Sequence, residues 1–270
     1  MAWATLLVVI VAGALWFATP LPTTAARYAW REWRMPSLAI ALDREDAPLA
    51  MEIGNRYFGA VIFGTGAAHY DPALAARAFR RALLIQPGIL WGHYSLARIA
   101  FAQGNFETAF EEINAELAAN SENLRSLYVR GLIYGFRDAP GDLALAEADF
   151  RRFTTWTPTE WAGYNDLAWI LAKERKYSDV KKVMELAFVH VPEGKQNPWL
   201  WNELGVARLA LGERASARAA FEQASHYAAT LTEADWRRAY SGNAPTSAQT
   251  GLGAFRAGIA KNLAKASHAP

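Results

Sequence analysis

Apolar residues recur every three or four positions along most of the chain from Glu52 onward, and short polar turns separate the apolar runs. This period is typical of amphipathic α-helices packed by one face. Two such helices and a turn return at a nearly constant spacing. The pattern therefore predicts an all-α protein built from repeated helix hairpins.

The repeat is clearest in the second helix of each pair, where a small residue is followed four positions later by a bulky one. Successive copies are 34, 37, 34 and 37 residues apart. A small residue allows two antiparallel helices to approach closely, and the bulky residue fills the groove between neighbouring pairs. The small positions are Ala75, Ala109, Ala146, Val180 and Ala217, and the bulky positions are Phe79, Ile113, Phe150, Met184 and Phe221.

The same register holds before and after these positions, so both helices of each pair repeat together. Prolines near the end of several second helices stop them, because proline lacks the N–H and clashes with the preceding turn. Three residues after the bulky position come Ala82, Glu116, Phe153, Ala187 and Ala224. Five residues further on come Pro87, Ser121, Pro158, Pro192 and Ala229. The matching first-helix pairs are Ile62-Phe63, Leu96-Ala97, Arg130-Gly131, Leu167-Ala168 and Leu204-Gly205.

This arrangement resembles the tetratricopeptide repeat (TPR), a 34-residue helix hairpin that begins W-x₂-L-G-x₂-Y. The best copy is the last, Trp201-x₂-Leu204-Gly205, followed by Gly212, Ala217, Phe221 and Ala224. The fourth copy keeps Tyr164, Leu167, Ala168, Leu171, Tyr177, Ala187 and Pro192. Departures from the pattern are Gly59 and Pro72 in the first unit, Glu116 in the second and Arg130 in the third.

The resemblance implies a right-handed α-solenoid of about five TPR-like hairpins, each covering an apolar face that its neighbour would otherwise expose. The solenoid is expected over 52–231, with units at 56–89, 90–123, 124–160, 161–194 and 198–231. Residues 232–270 are predicted to form capping helices and a tail. Thr232 is the expected N-cap of a helix through Tyr240, and a final helix is expected from Gly251 to Ala266.

The segment from Ala2 to Ala18 carries no charge and only one polar side chain, Thr5. As a helix it would be ~25 Å long, close to the lower limit for crossing a bilayer core of about 30 Å. Trp3 and Trp16 stand near its ends, where indoles favour the headgroup level. Residues 1–20 are therefore predicted to be a transmembrane anchor. A cleaved secretory signal remains the alternative, with Thr23-Thr24-Ala25 as a weak cleavage site.

Residues 21–51 are predicted to be a juxtamembrane linker with a short amphipathic helix lying against lipid headgroups. Arg27, Arg31 and Arg34 follow the apolar segment, with Tyr28, Trp30 and Trp33 among them. By the positive-inside rule these arginines place the body in the cytoplasm of a single-pass inner or plasma membrane protein. An extracytoplasmic body is the alternative.

Composition and charge remove several classes of function. The formal net charge is only +2, so no strong positive field exists to bind nucleic acid. The chain has no cysteine, and its five histidines form no metal-ligating pair on one helix. Gly64-x-Gly66 lies in a predicted repeat helix and not in a phosphate-binding turn. We therefore expect no catalytic residue, no metal and no cofactor.

In TPR proteins the first helices line a concave groove, and the resemblance implies the same for this chain. The corresponding side chains mix aromatic rings, arginines and amides, which anchor extended peptides. The lysine and asparagine set that grips a C-terminal carboxylate in some TPR proteins is not reproduced. The expected groove residues are Trp91, Tyr94, Arg98, Phe101, Arg125, Tyr128, Asn165, Asp166, Trp169, Lys173, Trp199, Asn202 and Glu203. Core packing is the alternative role for Trp91, Trp169 and Trp199.

The function expected from these features is that of a membrane-tethered scaffold, which binds a protein or peptide partner in its groove and assembles a membrane or envelope complex. The layout resembles the bacterial lipopolysaccharide-assembly TPR protein, but the absence of cysteine removes that family's rubredoxin-like module. An alternative is polysaccharide handling or export on the outer side of the membrane, since sugars stack on indoles.

Overall fold

The structure is a computed structural model that describes residues 21–58, 70–239 and 247–267. Throughout these ranges the regular structure is helical. The helices are α1 (Leu21–Arg31), α2 (Pro36–Leu42), α3 (Ala47–Phe58), α4 (Pro72–Ile85), α5 (Gly92–Ala102), α6 (Phe106–Ala119), α7 (Arg125–Arg137), α8 (Asp142–Trp156), α9 (Trp161–Lys173), α10 (Tyr177–His190), α11 (Pro198–Ala210), α12 (Arg214–Thr230), α13 (Glu233–Ala239) and α14 (Ser247–Ser267), with a 3₁₀ turn at Gly194–Gln196.

Five helix hairpins stack in chain order: α3–α4, α5–α6, α7–α8, α9–α10 and α11–α12. The predicted small and bulky positions of the second helices are all buried, with exposures of 0–1% from Ala75 through Phe221. The all-helical solenoid is therefore confirmed. The bulky rings of Phe79, Phe150 and Phe221 lie against a glycine on the first helix of the same hairpin. The largest buried cluster joins side chains of consecutive helices from α7 to α12, so neighbouring hairpins share apolar contacts.

In the second to fifth hairpins, the turn between the two helices has a residue with left-handed backbone conformation. This residue is five positions before the small residue of the second helix. Gly104, Gly141 and Gly212 have φ of +74°, +89° and +79°, and a Cβ added to any of them would meet no atom within 4 Å. Glycine adopts this conformation without the strain a side chain brings. Arg175 takes the same position in the fourth hairpin with φ +59°. The turn geometry is thus shared even where the glycine is not.

The first hairpin differs from the predicted 56–89 unit, because its first helix is Ala47–Phe58. Gly54 lies against the ring of Phe79, and a Cβ added at Gly54 would be 2.5 Å from Phe79 Cε1. Gly205 has the same relation to Phe221, since a Cβ added there would be 2.5 Å from Phe221 Cε1. In the described residues the pair that faces Phe79 is therefore Ile53-Gly54, and Ile62-Phe63 was the predicted pair. Ile62 and Phe63, with Gly64-x-Gly66, lie in 59–69, outside the described residues.

Glu116 stands where the repeat pattern has a small residue, and it is fully buried. Its carboxylate accepts hydrogen bonds from the backbone N–H groups of Trp91 and Tyr94 at 3.0 and 3.1 Å. The side-chain amides of Asn120 and Asn123 donate to it as well. The first N–H groups of a helix have no hydrogen-bond acceptor within the helix, so Glu116 acts as the acceptor for the start of α5.

The segment predicted as a juxtamembrane linker is instead a hairpin, α1–α2, that packs on the first repeat. Ala26, Ala29 and Trp30 form a buried cluster with side chains of α2, α3 and α4. Trp30 is 6% exposed, and its indole N–H donates to Glu52 at 2.7 Å. Tyr28 and Trp33 stay exposed at 57% and 60%. Trp30 is therefore a core residue and not a contact with lipid headgroups.

The C-terminal helices cover the last hairpin as expected. Thr232 Oγ1 accepts a hydrogen bond from the N–H of Asp235, whose carboxylate accepts the N–H of Thr232, so the start of α13 is capped reciprocally. Helix α14 begins at Ser247, four residues before the predicted Gly251, and packs along α12. Ile259 is buried against Ala224 and Ala228 of α12, and Leu252 of the same helix is also buried.

The predicted anchor, residues 1–20, lies outside the described residues. Among the helices that the structure describes, none is long and apolar enough to cross a membrane.

Candidate functional site

The predicted groove residues lie on the first helices α5, α7, α9 and α11 or directly before them, and these helices are neighbours along the stack. The structure divides all of them except Arg125 and Trp199 into three groups along the row of helices. One group surrounds a pocket beside α5, one is an aromatic strip across the ends of α5, α7 and α9, and one is a polar row over α7, α9 and α11.

Trp91, Tyr94 and Arg98 line a pocket of about 880 Å³ between α1, α3 and α5, hereafter the N-terminal pocket. The rings of Trp91 and Tyr94 meet edge to face at 5.0 Å. The guanidinium of Arg98 lies over Phe58 at 5.1 Å and over Tyr94 at 5.8 Å. The opposite walls carry residues outside the predicted set, among them Trp30, Arg34, Met51, Glu52 and Arg56.

Phe101, Trp169 and Lys173 belong to the aromatic strip. Phe136 joins them, with ring centroids 5.4 Å from Phe101 and 4.9 Å from Trp169, although Phe136 is 53% exposed. Lys173 Nζ lies 5.2 Å from the Trp169 ring and donates to the carbonyl of Gly135 at 2.8 Å. The strip offers apolar ring surface next to one ammonium group.

The polar row begins at Tyr128, whose hydroxyl donates to Asp166 Oδ2 at 2.6 Å. The amide of Asn165 donates to the other oxygen of Asp166 at 2.9 Å. One helix further on, Asn202 donates to Glu203 at 3.2 Å. The row ends at α14, where Asn262 donates to Asn202 at 3.4 Å. These half-buried groups form a hydrogen-bonding surface suited to the backbone amides of an extended chain.

Both carboxyl groups of this row have raised pKa values. Burial raises the pKa of Asp166 to about 6, against the opposing effect of hydrogen bonds from Tyr128 and Asn165. Burial, together with the nearby charge of Asp166, raises the pKa of Glu203 to about 7. In the described chain neither carboxylate forms an ion pair. The charge of the row therefore changes across the physiological pH range.

Stability should fall as pH rises through these pKa values. In the unfolded chain both groups lose their protons at lower pH, so the folded state binds more protons between about pH 4 and 7. The stabilising effect of protonation is complete below the pKa values of the unfolded chain and is lost above the pKa values of the folded protein. We expect the double variant Asp166→Asn, Glu203→Gln to gain melting temperature relative to wild type between pH 5 and pH 8.

The control for this pH dependence is Glu111→Gln combined with Glu185→Gln, two exposed carboxylates on the second helices α6 and α10. Its melting temperature should follow wild type across the range. Parallel curves for Asp166→Asn, Glu203→Gln and wild type would contradict the raised pKa values.

Two predicted groove residues have other roles. Arg125 donates to Glu160 at 3.0 Å and lies over the ring of Phe153. Trp199 is only 7% exposed and lies in the interior instead of on an open groove surface. Its ring stacks between Trp161 at 4.8 Å and Phe255 at 5.2 Å. The C-terminal helix α14 thus covers the indole.

The residues that the sequence analysis missed come mainly from α1 and α3. The sequence pattern places Trp30 and Arg34 in a linker and Arg56 at the start of the first unit, so it predicts no groove position there. Phe136 could have been found, since it is separated by 34 residues from Ala102 and by 37 from Lys173 in the repeat register.

Solved structures that resemble the chain are TPR proteins. A thermophilic TPR protein of Thermus thermophilus, TTC0263, is 18% identical, with 72% of this chain and 98% of that one covered and a TM-score of 0.52. PilW, a type IV pilus biogenesis factor, is 17% identical over 80% and 96%, with a TM-score of 0.55. PilF of Pseudomonas aeruginosa is 18% identical over 80% and 90%, with a TM-score of 0.53. These likenesses support the TPR fold.

No protein-family model matches the chain, and no curated protein matches it.

Proposed function

We propose that this protein is a membrane-tethered TPR scaffold that binds a protein partner along the first helices of its hairpins. The observation that carries the proposal is the polar row, in which Tyr128, Asn165 and Asn202 place hydrogen-bonding groups on three successive first helices. An extended peptide has a regular series of N–H and C=O groups that such a row can match. The proposal includes no reaction.

The aromatic strip supports the same function. Phe136 presents a large apolar surface that its neighbours Phe101 and Trp169 hold in place from either side. Aromatic side chains that are fixed by packing lose little conformational entropy on binding and are common anchors at protein interfaces. Apolar side chains of the partner would contact this strip while its backbone follows the polar row.

The tethering part of the proposal comes from the uncharged segment 2–18 and the arginines that follow it. We propose that residues 1–20 hold the protein in an inner or plasma membrane and that the solenoid faces the cytoplasm, where it gathers the components of a membrane or envelope complex. PilW is described as a type IV pilus biogenesis factor, and pilus assembly is one process of this kind.

The proposal is tested by photo-crosslinking in cells. A benzophenone amino acid at Asn165 should give a discrete crosslinked protein, because this position lies in the polar row. The matched control is the same group at Glu185, an exposed residue of the second helix α10. Full-length protein should sediment with membranes, and a chain that starts at Leu21 should not.

Equal crosslinking from both positions would contradict a partner in the groove. Full-length protein that stays in the supernatant would contradict the tether. The two results are independent, so each part of the proposal is tested separately.

Polysaccharide handling receives less support from the geometry. Sugar stacking needs accessible indole faces, and Trp199, one of the three tryptophans that suggested it, is covered by Trp161 and Phe255. The indole of Trp169 is in contact with Phe136 and Lys173. An outward-facing reporter enzyme fused after Pro270 would favour this alternative over a cytoplasmic body.

A further inference from the structure

The N-terminal pocket has a volume of about 880 Å³, within the range of ~300–1,000 Å³ that is typical of ligand sites. The helix α5 forms one wall with Trp91, Tyr94 and Arg98, and the end of α1 together with α3 forms the other. Since α5 is also the first helix of the second hairpin, the pocket continues the row of first helices that forms the proposed partner site.

The charge of the pocket is strongly one-sided. Arg34, Arg56 and Arg98 line it, and Glu52 is its one acidic lining residue among those the structure describes. Glu52 accepts the indole N–H of Trp30, which faces the same space. Arg34 and Arg56 form no ion pair with any residue in the described ranges. Their positive charges are therefore not compensated by a described carboxylate of the chain.

Apolar surface accompanies these charges. Trp91 is 37% exposed at the rim, and Met51 and Phe58 lie on the α3 wall. Guanidinium groups beside aromatic rings bind carboxylates well, because the rings shield the ion pair from water and the guanidinium presents two parallel donors. The combination favours an acidic residue that is next to an apolar one.

The backbone is held in an unusual conformation at two of the lining residues. Arg34 has φ +54° and Trp91 has φ +73°, a left-handed region that bulky side chains rarely occupy. The buried carboxylate of Glu116 accepts the N–H of Trp91 and so stabilises this conformation. The backbone at the rim of the pocket is thus held at Trp91 before any ligand arrives, as is common at binding sites.

We propose that the N-terminal pocket binds acidic side chains of an extended partner segment, with the carboxylates on Arg34 and Arg56 and a neighbouring apolar side chain on Trp91. This inference rests on the proposed function, since it assigns a chemistry to one end of the same partner. The carboxyl groups of Asp166 and Glu203 belong to later hairpins, so the acidic part of the partner lies toward α3 and α5.

The test is selection of a random peptide library against the full chain in a non-ionic detergent. Three proteins are compared: wild type, the charge-reversed variant Arg34→Glu, Arg56→Glu, and a control. The control, Arg80→Glu with Arg152→Glu, reverses two exposed arginines of the second helices α4 and α8 that have no described ion pair. Unchanged circular dichroism spectra and melting temperatures establish that each variant is folded.

We expect wild type and the control to select peptides rich in Asp and Glu beside apolar residues. The charge-reversed variant should bind those peptides roughly tenfold more weakly or worse, since attraction becomes repulsion. Binding to wild type should also weaken as sodium chloride is raised.

Other outcomes overturn the inference in distinguishable ways. Selected peptides without acidic enrichment, or equal binding to the charge-reversed variant, would contradict the pocket chemistry and leave the scaffold function intact. Inorganic phosphate that binds wild type through Arg34 and Arg56, with no acidic peptide selected, would make this a small-anion site instead. Selection of no peptide by any of the three proteins would contradict the scaffold function as well.

Discussion

Replacing Phe150 with alanine should lower the free energy of unfolding by about 3–5 kcal/mol. The ring is fully buried in the third hairpin, and a Cβ added to Gly131 would be 2.9 Å from its Cζ. It also contacts the ring of Tyr128, with centroids 5.7 Å apart. Such close surroundings cannot collapse fully into the space left behind, so the cost of a cavity adds to the lost burial.

The position of Phe150 in the stack makes this loss larger than at either end. A solenoid is stabilised by contacts between neighbouring units, and the third hairpin has a neighbour on both sides. The measurement is urea denaturation followed by circular dichroism at 222 nm. Leu145→Ala on the same helix, where the side chain is 50% exposed, should cost well under half as much. Equal losses for the two variants would show that the bulky position is not a core position.

Removing the carboxylate of Asp149 should destabilise the protein by about 3 kcal/mol. Arg130 donates two hydrogen bonds to Asp149, at 2.7 and 2.8 Å, and a third to Asn114. Asp149 is nearly buried, with its side chain 5% exposed, and the Arg130 side chain is 24% exposed. The hydrogen bonds to Asp149 raise the pKa of Arg130 above its usual value. Arginine stays protonated in proteins even without such a partner, so the guanidinium keeps its charge when Asp149 is replaced. An uncompensated charge then remains in a poorly hydrated place.

A double variant separates the ion pair from the packing. In the fourth hairpin the equivalent positions hold Leu167 and Val183, both buried. Asp149→Val alone should show the loss, and Arg130→Leu with Asp149→Val should recover most of it, because an apolar pair of suitable size replaces a buried ion pair at little cost. A double variant as unstable as Asp149→Val would indicate that overpacking, and not the stranded charge, causes the loss. Urea denaturation of all three proteins measures the difference.

Much of the fold could be predicted because helix formation and repeat packing leave a local pattern. The spacing of Ala146 and Phe150 is read within one helix, and copies in other units confirm it. The left-handed turns were partly visible in the glycines at 104, 141 and 212, although Arg175 shows that the turn does not require glycine. The residues that define a helix and its turn are close together in the sequence, and a repeat protein shows the same pattern several times.

The candidate site was harder to predict because it depends on contacts far apart in the sequence. Trp199 follows the groove pattern, but Phe255 of α14 covers it from 56 positions away. Trp30 and Arg34 follow a pattern typical of a membrane-proximal helix, yet α1 packs on α3. Ile62 lies 34 residues before Leu96 and fits the repeat period, whereas Ile53 lies 43 residues before it. Only the contact of Gly54 with Phe79 places Ile53-Gly54 in the first hairpin.

The sequence by itself determined that the chain forms paired helices in a repeating register, because small and bulky residues at fixed intervals satisfy both the helix period and the contact between neighbours. The tertiary structure alone decided which aromatic rings stay accessible, where the first repeat begins, and that Arg34, in the turn after α1, lines a pocket beside the second hairpin. The physical reason is that the exposure and charge pairing of a side chain depend on which other helix packs against it. The residues around that side chain in the sequence do not specify this helix.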